Sequence, residues 1–322
     1  MSTFSKTNFK SLNYNTFRPK YPPSFYKLLS QYATKGDEAK LPLYKSIDLG
    51  CGTGVATYPL LNISEQVIGL DLSSKMIEIA NSLVEENTSK LGIDKSRISF
   101  KTGGAEDFLQ DKSSLDEPGS IDLITAAQCI HWFQDFPKFF KNCHKILKLG
   151  GTLSYFFYLD PIIVDYHNPG QPDVDLEVKI PILHQAQKLY NQYVYEDPAY
   201  LGPHWEQPGR DILKHLCKQV NEAIPLELYE DITINTFLPD IDSGKVEASD
   251  LDLDLNRKNI TPGELIKYLS TYSSYHNFKE KTGDKIDVFG KLLQDFQTQL
   301  SWDENTTIDI VWNTGYTFIR KK

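Results

Sequence analysis

The seven residues Asp48-Leu49-Gly50-Cys51-Gly52-Thr53-Gly54 constrain this chain more than any other stretch. They follow a short apolar run and precede a segment that reads as a helix. Glycines at alternate positions let the backbone turn sharply out of a strand and lie close against a ligand, because no Cβ blocks the approach. Loops of this kind belong to nucleotide-type cofactor sites on doubly wound α/β sheets. The spacing departs from the dinucleotide fingerprint G-x-G-x-x-G: the third glycine comes one residue early, and an acidic residue stands at the strand end.

Asp48 changes the expected ligand. A diphosphate over this loop would meet a carboxylate, whereas a cation would be attracted to it. S-adenosylmethionine, with its sulfonium and ammonium, suits the loop better than NAD. Gln66-Val67-Ile68-Gly69-Leu70 reads as a second buried strand, and Asp71 ends it about 20 residues after Gly50. A carboxylate there accepts hydrogen bonds from both ribose hydroxyls. An N-cap role for Asp71, on a helix over Ser73–Glu85, is the plainer alternative.

The rest of the chain fits an α/β enzyme. Its 322 residues carry a formal charge of −9, which argues against a nucleic-acid partner, since phosphate binding wants a basic face. No apolar run has the length of a membrane span, and the first residues lack the apolar core of a signal peptide, so a cytoplasmic protein is expected. Cys51, Cys129, Cys143 and Cys217 have no paired spacing and are expected reduced and buried. No metal site and no obligate protein partner are expected; His131, His144 and the other histidines form no ligand motif.

Strands and helices alternate: Lys45–Leu49, Gln66–Leu70, the Ser73–Glu85 helix, Arg97–Lys101, Ser120–Ala126, the Phe136–Leu147 helix, then Thr152–Phe157 after a Leu149-Gly150-Gly151 stop. This order implies a parallel sheet with helices on both faces. The expected organisation is one domain: an arm over 1–23, a cofactor-binding core over 24–157, a substrate-side insertion over 158–229, and C-terminal strands with lid helices over 230–322. Within these, Ile182–Tyr193 and Pro208 to Val220 read as helices, 230–237 as a strand and 242–259 as a mobile acidic loop. Thr261-Pro262 opens a helix, and Thr307–Ile319 alternates as a terminal strand.

Asp48-x-Gly50-x-Gly52-x-Gly54, Asp71, Gly104-Ala105-Glu106 and His131-Trp132-Phe133 resemble motifs of the class I S-adenosylmethionine-dependent methyltransferases. Within that class the chain is similar to the fungal trans-aconitate methyltransferases. The markers are Tyr14-x-x-x-Arg18-Pro19-x-Tyr21-Pro22, the segment from Gly202 to Arg210, Tyr272-Ser273-x-Tyr275-His276 and Val311-Trp312-Asn313-Thr314. A fungal methyltransferase acting on cantharidin shares this layout and stands as the substrate alternative. The resemblance implies a Rossmann-like α/β fold with a seven-stranded, mostly parallel sheet whose last strand is antiparallel. It implies cofactor contacts from Asp48, Gly50, Gly52, Gly54, Asp71, Leu72, Ala105, Glu106, Gln128 and Trp132, and S-adenosylhomocysteine as product. Many relatives carry Asp where this chain has Gly104, which leaves Glu106, Asp107 or a backbone group for the adenine amino group.

Methyl transfer is an in-line displacement at the sulfonium methyl. A carboxylate, with a reference pKa of about 4, is already ionised at neutral pH and needs no general base. His131 is the one nearby candidate base, and a loop-fixing role is the more ordinary one for it. The arginines are few: Arg18, Arg97, Arg210, Arg257 and Arg320. Arg97 and Arg320 bound strands, and Arg257 is expected to balance the acidic loop. Arg18 and Arg210 lie in aromatic, proline-marked segments and are expected to hold a small carboxylic acid, since arginine pairs with carboxylates bidentately. Arg18 has a second option, the methionine carboxylate of the cofactor, and both have a plain alternative as structural salt bridges. Trp205, Tyr275 and Trp312 are the expected cavity aromatics, while Trp302 is expected in the core. The competing readings are an NAD-dependent oxidoreductase, a non-catalytic methyltransferase-like subunit and, weakest for this acidic chain, a protein or RNA methyltransferase.

Overall fold

The sheet runs in the order β3-β2-β1-β4-β5-β8-β6, with β7 pairing β8 beside β6. The computed structural model describes residues 17–104, 118–170, 172, 174–283 and 285–322. In chain order the elements are α1 (Pro23–Thr34), β1 (Leu43–Leu49), β2 (Ser64–Asp71), α2 (Ser74–Ser82), α3 (Val84–Leu91), β3 (Ile98–Thr102), β4 (Ile121–Ala127), α4 (Phe136–Ile146) and β5 (Leu147–His167). Then come α5 (Leu176–Asn191), α6 (Gly209–Lys214), α7 (Lys218–Glu222), β6 (Tyr229–Phe237), β7 (Asn256–Ile260), α8 (Pro262–Leu269), α9 (Ser273–Thr282), α10 (Val288–Leu300) and β8 (Thr307–Lys321). The first five strands are parallel, and β8 enters antiparallel between β5 and β6.

Side-chain alternation along the strands feeds a core on each face of the sheet. On β5, Phe156 and Tyr158 join one core with Phe25 and Leu29 of α1 and Phe318 of β8. Tyr155 and Phe157 join the other with Phe139, Phe140 and Ile146 of α4. Helix α1 starts with Pro23, whose missing N–H costs nothing in the first turn, and ends at Lys35 in the left-handed conformation. Ser73 caps α2 by accepting from the Met76 N–H.

Several sequence expectations change here. No α-helix follows the glycine loop: turns lead to a 3₁₀ segment at Tyr58–Asn62, because Pro59 has no N–H to donate and disfavours α geometry at Tyr58. β5 does not end near Phe157 but continues to His167, paired with β8 from Pro161↔Trp312 to His167↔Thr307. Pro161 follows a register shift after Tyr158, an irregularity that accommodates a proline within a ladder. The 158 boundary therefore falls inside a strand. The Pro208 to Val220 helix is two short ones, interrupted where Leu216 and Cys217 take positive φ.

The acidic stretch 242–259 is not a free loop throughout. Leu253 and Leu255 are buried, Thr314 Oγ1 donates to Leu253 O, Trp312 N donates to Leu255 O, and residues 256–260 form β7. Arg257 does not balance its acidic neighbours. Its guanidinium donates to the carbonyls of Phe17 and Arg18 at 2.8 and 3.0 Å and lies 5.6 Å from the Trp312 ring, fixing the arm against the sheet. Arg97 and Arg320 fasten carbonyls at the opposite end: Arg97 binds those of Leu61, Ser64 and Glu65, and Arg320 those of Tyr32, Ala33 and Gly150.

Arg257→Ala removes two charge-assisted hydrogen bonds, each worth roughly 1.5–3 kcal/mol locally. Trypsin cleavage after Lys20 should accelerate sharply while the global melting temperature moves little; unchanged cleavage would mean that the guanidinium does not hold the arm.

Candidate active site

The site is built on the ends of β1, β2 and β4. Asp48, fully buried on β1, accepts from Thr57 Oγ1 and Thr125 Oγ1, each at 2.6 Å. Burial pushes its carboxyl up to about 6, although both hydroxyls act the other way. Both of its oxygens are engaged beneath the loop, so Asp48 shapes the loop's floor and field. It does not present a surface carboxylate, as the sequence suggested.

The three glycines do different work. A Cβ on Gly50 would stand 2.7 Å from the Cys129 Cβ, and one on Gly54 would stand 2.7 Å from the Tyr58 ring. These two let the loop pack on the protein. Gly52, at φ +55°, has nothing within 4 Å of its Cβ position, so its backbone is open to approach from that side. Its N–H donates to Asp71 Oδ2 at 2.8 Å, and Ser73 N donates to Oδ1 at 2.8 Å. Asp71 is thus locked at the end of β2, with Ser73 and not Asp71 as the helix cap. Each of its oxygens retains a lone pair for a ribose hydroxyl. Burial raises the Asp71 carboxyl. Leu72 beside it is 75% exposed, an apolar surface next to the fixed acid. Open glycine backbone, a fixed acid and an exposed leucine at adjoining strand ends fit S-adenosylmethionine. Ala105, Glu106 and Asp107, and Tyr14 of the arm, lie outside the described residues.

Past the end of β4 lies a cavity of about 50 Å³, lined by Gln128, His131 and Trp132 from the sheet side, Arg18 from the arm, and Trp205 and Arg210 from the insertion. Gln128, at φ +54°, spends its amide on Tyr158: Nε2 donates to Tyr158 O and Oε1 accepts from Tyr158 N, both at 2.8 Å. Its side chain therefore sets the loop that carries His131. Trp132 packs where Gly209 leaves room for it; a Cβ there would sit 2.5 Å from the indole. His131 is buried, and desolvation, then Arg210 and Arg18, lower its pKa to about 3.

Arg18 donates to Tyr158 OH and to the Thr271 carbonyl at 3.2 and 2.9 Å, with the Tyr158, Tyr268 and Tyr272 rings around it. Arg210 lies 4.1 Å from the Trp205 ring and pairs with Asp160 at 2.8 Å. The salt-bridge alternative therefore holds for Arg210 in part, although the side chain also lines the cavity. Trp205 is fixed by Nε1 donating to Val194 O. Tyr275 and Trp312 do not line this cavity. Tyr275 packs against Phe289 with the rings tilted, and Trp312 is fully buried with Nε1 donating to Tyr268 OH. Their aromatic context was a packing signal, and it lacked the glycine–proline surroundings that set Trp205 apart. Sequence reasoning missed Asp160, which falls in the stretch assigned to the substrate-side insertion, and the tyrosines around Arg18. A larger concavity of about 1180 Å³ opens between α1 and α3 where a helix after the loop was expected, but the arginines and His131 do not reach it.

Gly52→Val should abolish S-adenosylhomocysteine binding by calorimetry and lose little stability beyond the roughly 1–2 kcal/mol of left-handed strain. Gly50→Val, blocked by Cys129, should instead lower the melting temperature strongly. Equal effects of the two on binding and on melting would put the ligand face elsewhere. Asp48 gives a pH signature. Its folded-state value lies above the unfolded one, so its contribution declines as pH rises through about 4 to 6 and stays a penalty above. Asp48→Asn should gain on wild type by roughly 1–1.5 kcal/mol between about pH 5 and about pH 7.5; a gap that ignores pH in paired melts would contradict the buried carboxylate.

Residues 47–155, which span this cofactor side, match the family described as a methyltransferase domain. Over the whole chain, the probable S-adenosylmethionine-dependent methyltransferase CRG1 of Saccharomyces cerevisiae is 26% identical, covering 100% of this chain and 99% of that protein. The malonyl-[acyl-carrier protein] O-methyltransferase of Bacteroides helcogenes is 33% identical over 34% of this chain and 39% of its own length. A putative type II methyltransferase from Anaeromyxobacter dehalogenans superposes with a TM-score of 0.60 at 18% identity, covering 94% of this chain and 98% of that one, and so shares the fold. Residues 47–155 thus carry a methyltransferase domain on a Rossmann-like α/β sheet, and the enzyme is an S-adenosylmethionine-dependent methyltransferase.

Proposed function

We propose that this enzyme forms a methyl ester on a carboxylate of a small di- or tricarboxylic acid such as trans-aconitate, releasing S-adenosylhomocysteine. One observation carries the reading: two arginines from separate covers, Arg18 and Arg210, line one small cavity whose histidine, the only one lining it among the described residues, is held neutral. Cations in a shielded cavity suit an anionic substrate. A histidine pushed down to about 3 is a poor base at neutral pH, which suits a nucleophile that is already ionised. A phenol or an amine would need a base poised near neutrality. The cofactor supplies the electrophilic methyl group. The chain's own residues bind it at Gly52, Asp71 and Leu72, orient the acid through Arg18 and Arg210, and exclude water with Trp132 and Trp205. The partial relative that methylates malonyl-[acyl-carrier protein] is named as an O-methyltransferase, which agrees with transfer to oxygen.

Labelled cofactor with a panel of di- and tricarboxylates, read by mass spectrometry for methyl esters, tests the reading; esters from none of them would end it. His131→Asn should lose less than the roughly 10²–10⁴-fold expected on removing a general base, and kcat should stay flat through the neutral range. A larger loss, with a rate that rises through a group titrating near 6.5, would point to another nucleophile. Arg18→Lys and Arg210→Lys keep the charge and lose the fork, so each should raise KM for the acid. Arg18→Lys would weaken cofactor binding as well if Arg18 grips the methionine carboxylate.

A further inference from the structure

Asp160 stands behind the cavity wall and controls a side chain in it. Its carboxylate accepts from Tyr190 OH at 2.6 Å, from Tyr195 OH at 2.8 and 2.7 Å, and from Arg210 Nη2 at 2.8 Å to each oxygen. Trp205 and Tyr195 hold the guanidinium at 4.1 and 5.2 Å from their ring centres. Nη2 is therefore committed to Asp160. The Nε of Arg210, in a residue only 8% exposed, is buried without an acceptor among the described residues. His131, 4% exposed on the same wall, has its Nδ1 buried without a partner. Buried polar groups are ordinarily partnered, so these two nitrogens mark where polar atoms of a ligand fit.

We propose that Asp160 is a positioning residue that limits the charge of the substrate, so that the cavity takes a dicarboxylate in preference to a tricarboxylate. The proposal rests on the carboxyl-methyltransferase reading and narrows it. An arginine that meets a ligand alone offers a full positive charge. One already paired offers a directed N–H and little net charge. Asp160 sits one guanidinium away from the ligand face of Arg210, and at that range its repulsion offsets much of the arginine's attraction for every further carboxylate. Arg18 and Arg210 are the cationic side chains of the wall among the described residues. One carboxylate of the substrate faces the sulfonium methyl and a second meets these arginines; a third has no cation left to neutralise it.

The test is calorimetry on the full chain saturated with S-adenosylhomocysteine, titrated with fumarate and with trans-aconitate. Wild type should bind fumarate more tightly. Asp160→Asn keeps the shape and an acceptor for the tyrosines but removes the charge, and should shift the ratio of the two dissociation constants about tenfold toward trans-aconitate. The double variant Asp160→Asn with Arg210→Gln is neutral on both sides, which guards against an unfolded single variant, and should return the ratio to within about twofold of wild type. A wild-type preference for trans-aconitate, an unmoved ratio in Asp160→Asn, a double variant far from wild type, or no binding of either acid overturns the proposal. Ester formation by wild type is measured separately. Esters with an unmoved ratio sink only this inference, whereas a moved ratio with no ester from any acid sinks only the reading beneath it.

Discussion

Asp160 meets Arg210 only because β5 keeps running past the cofactor edge of the sheet. The parallel partner β4 ends at Ala127, paired with Phe156, and from Pro161 onward β5 depends on β8 for its ladder. Without that antiparallel strand, the stretch from Pro161 to His167 would have bare N–H and C=O groups on both edges. The register shift after Tyr158 takes Asp160 out of the regular pairing, and Asn313 Nδ2 donates to the freed Asp160 carbonyl at 3.0 Å. The carboxylate is then presented to Tyr190, Tyr195 and Arg210, all from the segment between β5 and β6. The late strand of the chain thus sets the geometry around Arg210, and the early strands set that of the glycine loop.

Burying charge is what unites the two sides. Asp48 is fully buried under the glycine loop, and Arg18 and Arg210 are each 8% exposed. Such groups are tolerated only when hydrogen bonds replace water. The protein supplies threonine hydroxyls for Asp48, tyrosine faces and a backbone carbonyl for Arg18, and a carboxylate with two stacked rings for Arg210. The same arginines act on His131, opposing the protonation of its buried ring. Its neutrality follows from burial first and from Arg210 and Arg18 second.

The cofactor half of this fold was legible because its signals are local. Alternating apolar runs, the Asp48 to Gly54 spacing and Asp71 at a strand end each report on a backbone position within a few residues. The substrate half was less legible because its pairings are distant in sequence. Nothing near Arg257 says that it binds the carbonyls of Phe17 and Arg18, and nothing near Asp160 says that Arg210 will fold against it. Pro59 lies where a helix was expected and a 3₁₀ segment stands, and Pro161 lies inside a strand that was expected to end at Phe157. Trp205 was legible from its Gly/Pro surroundings; Tyr275 and Trp312, equally aromatic, went to packing.

Trp312 nevertheless bears on the cavity it does not line. Its ring lies beneath Arg257, which holds Phe17 and Arg18 by their carbonyls, and its Nε1 donates to Tyr268 OH, whose ring lies 5.7 Å from the Arg18 guanidinium. One buried indole thereby fixes both the backbone that carries Arg18 and the ring that guides its side chain. Among the described residues, the arm is the part of the cavity wall that precedes the sheet in sequence, and its position is set by β7 and β8 near the other end of the chain. The position of Arg18 therefore depends on the antiparallel strands, whereas the loop from Gly50 to Gly54 rests on β1, β2 and β4.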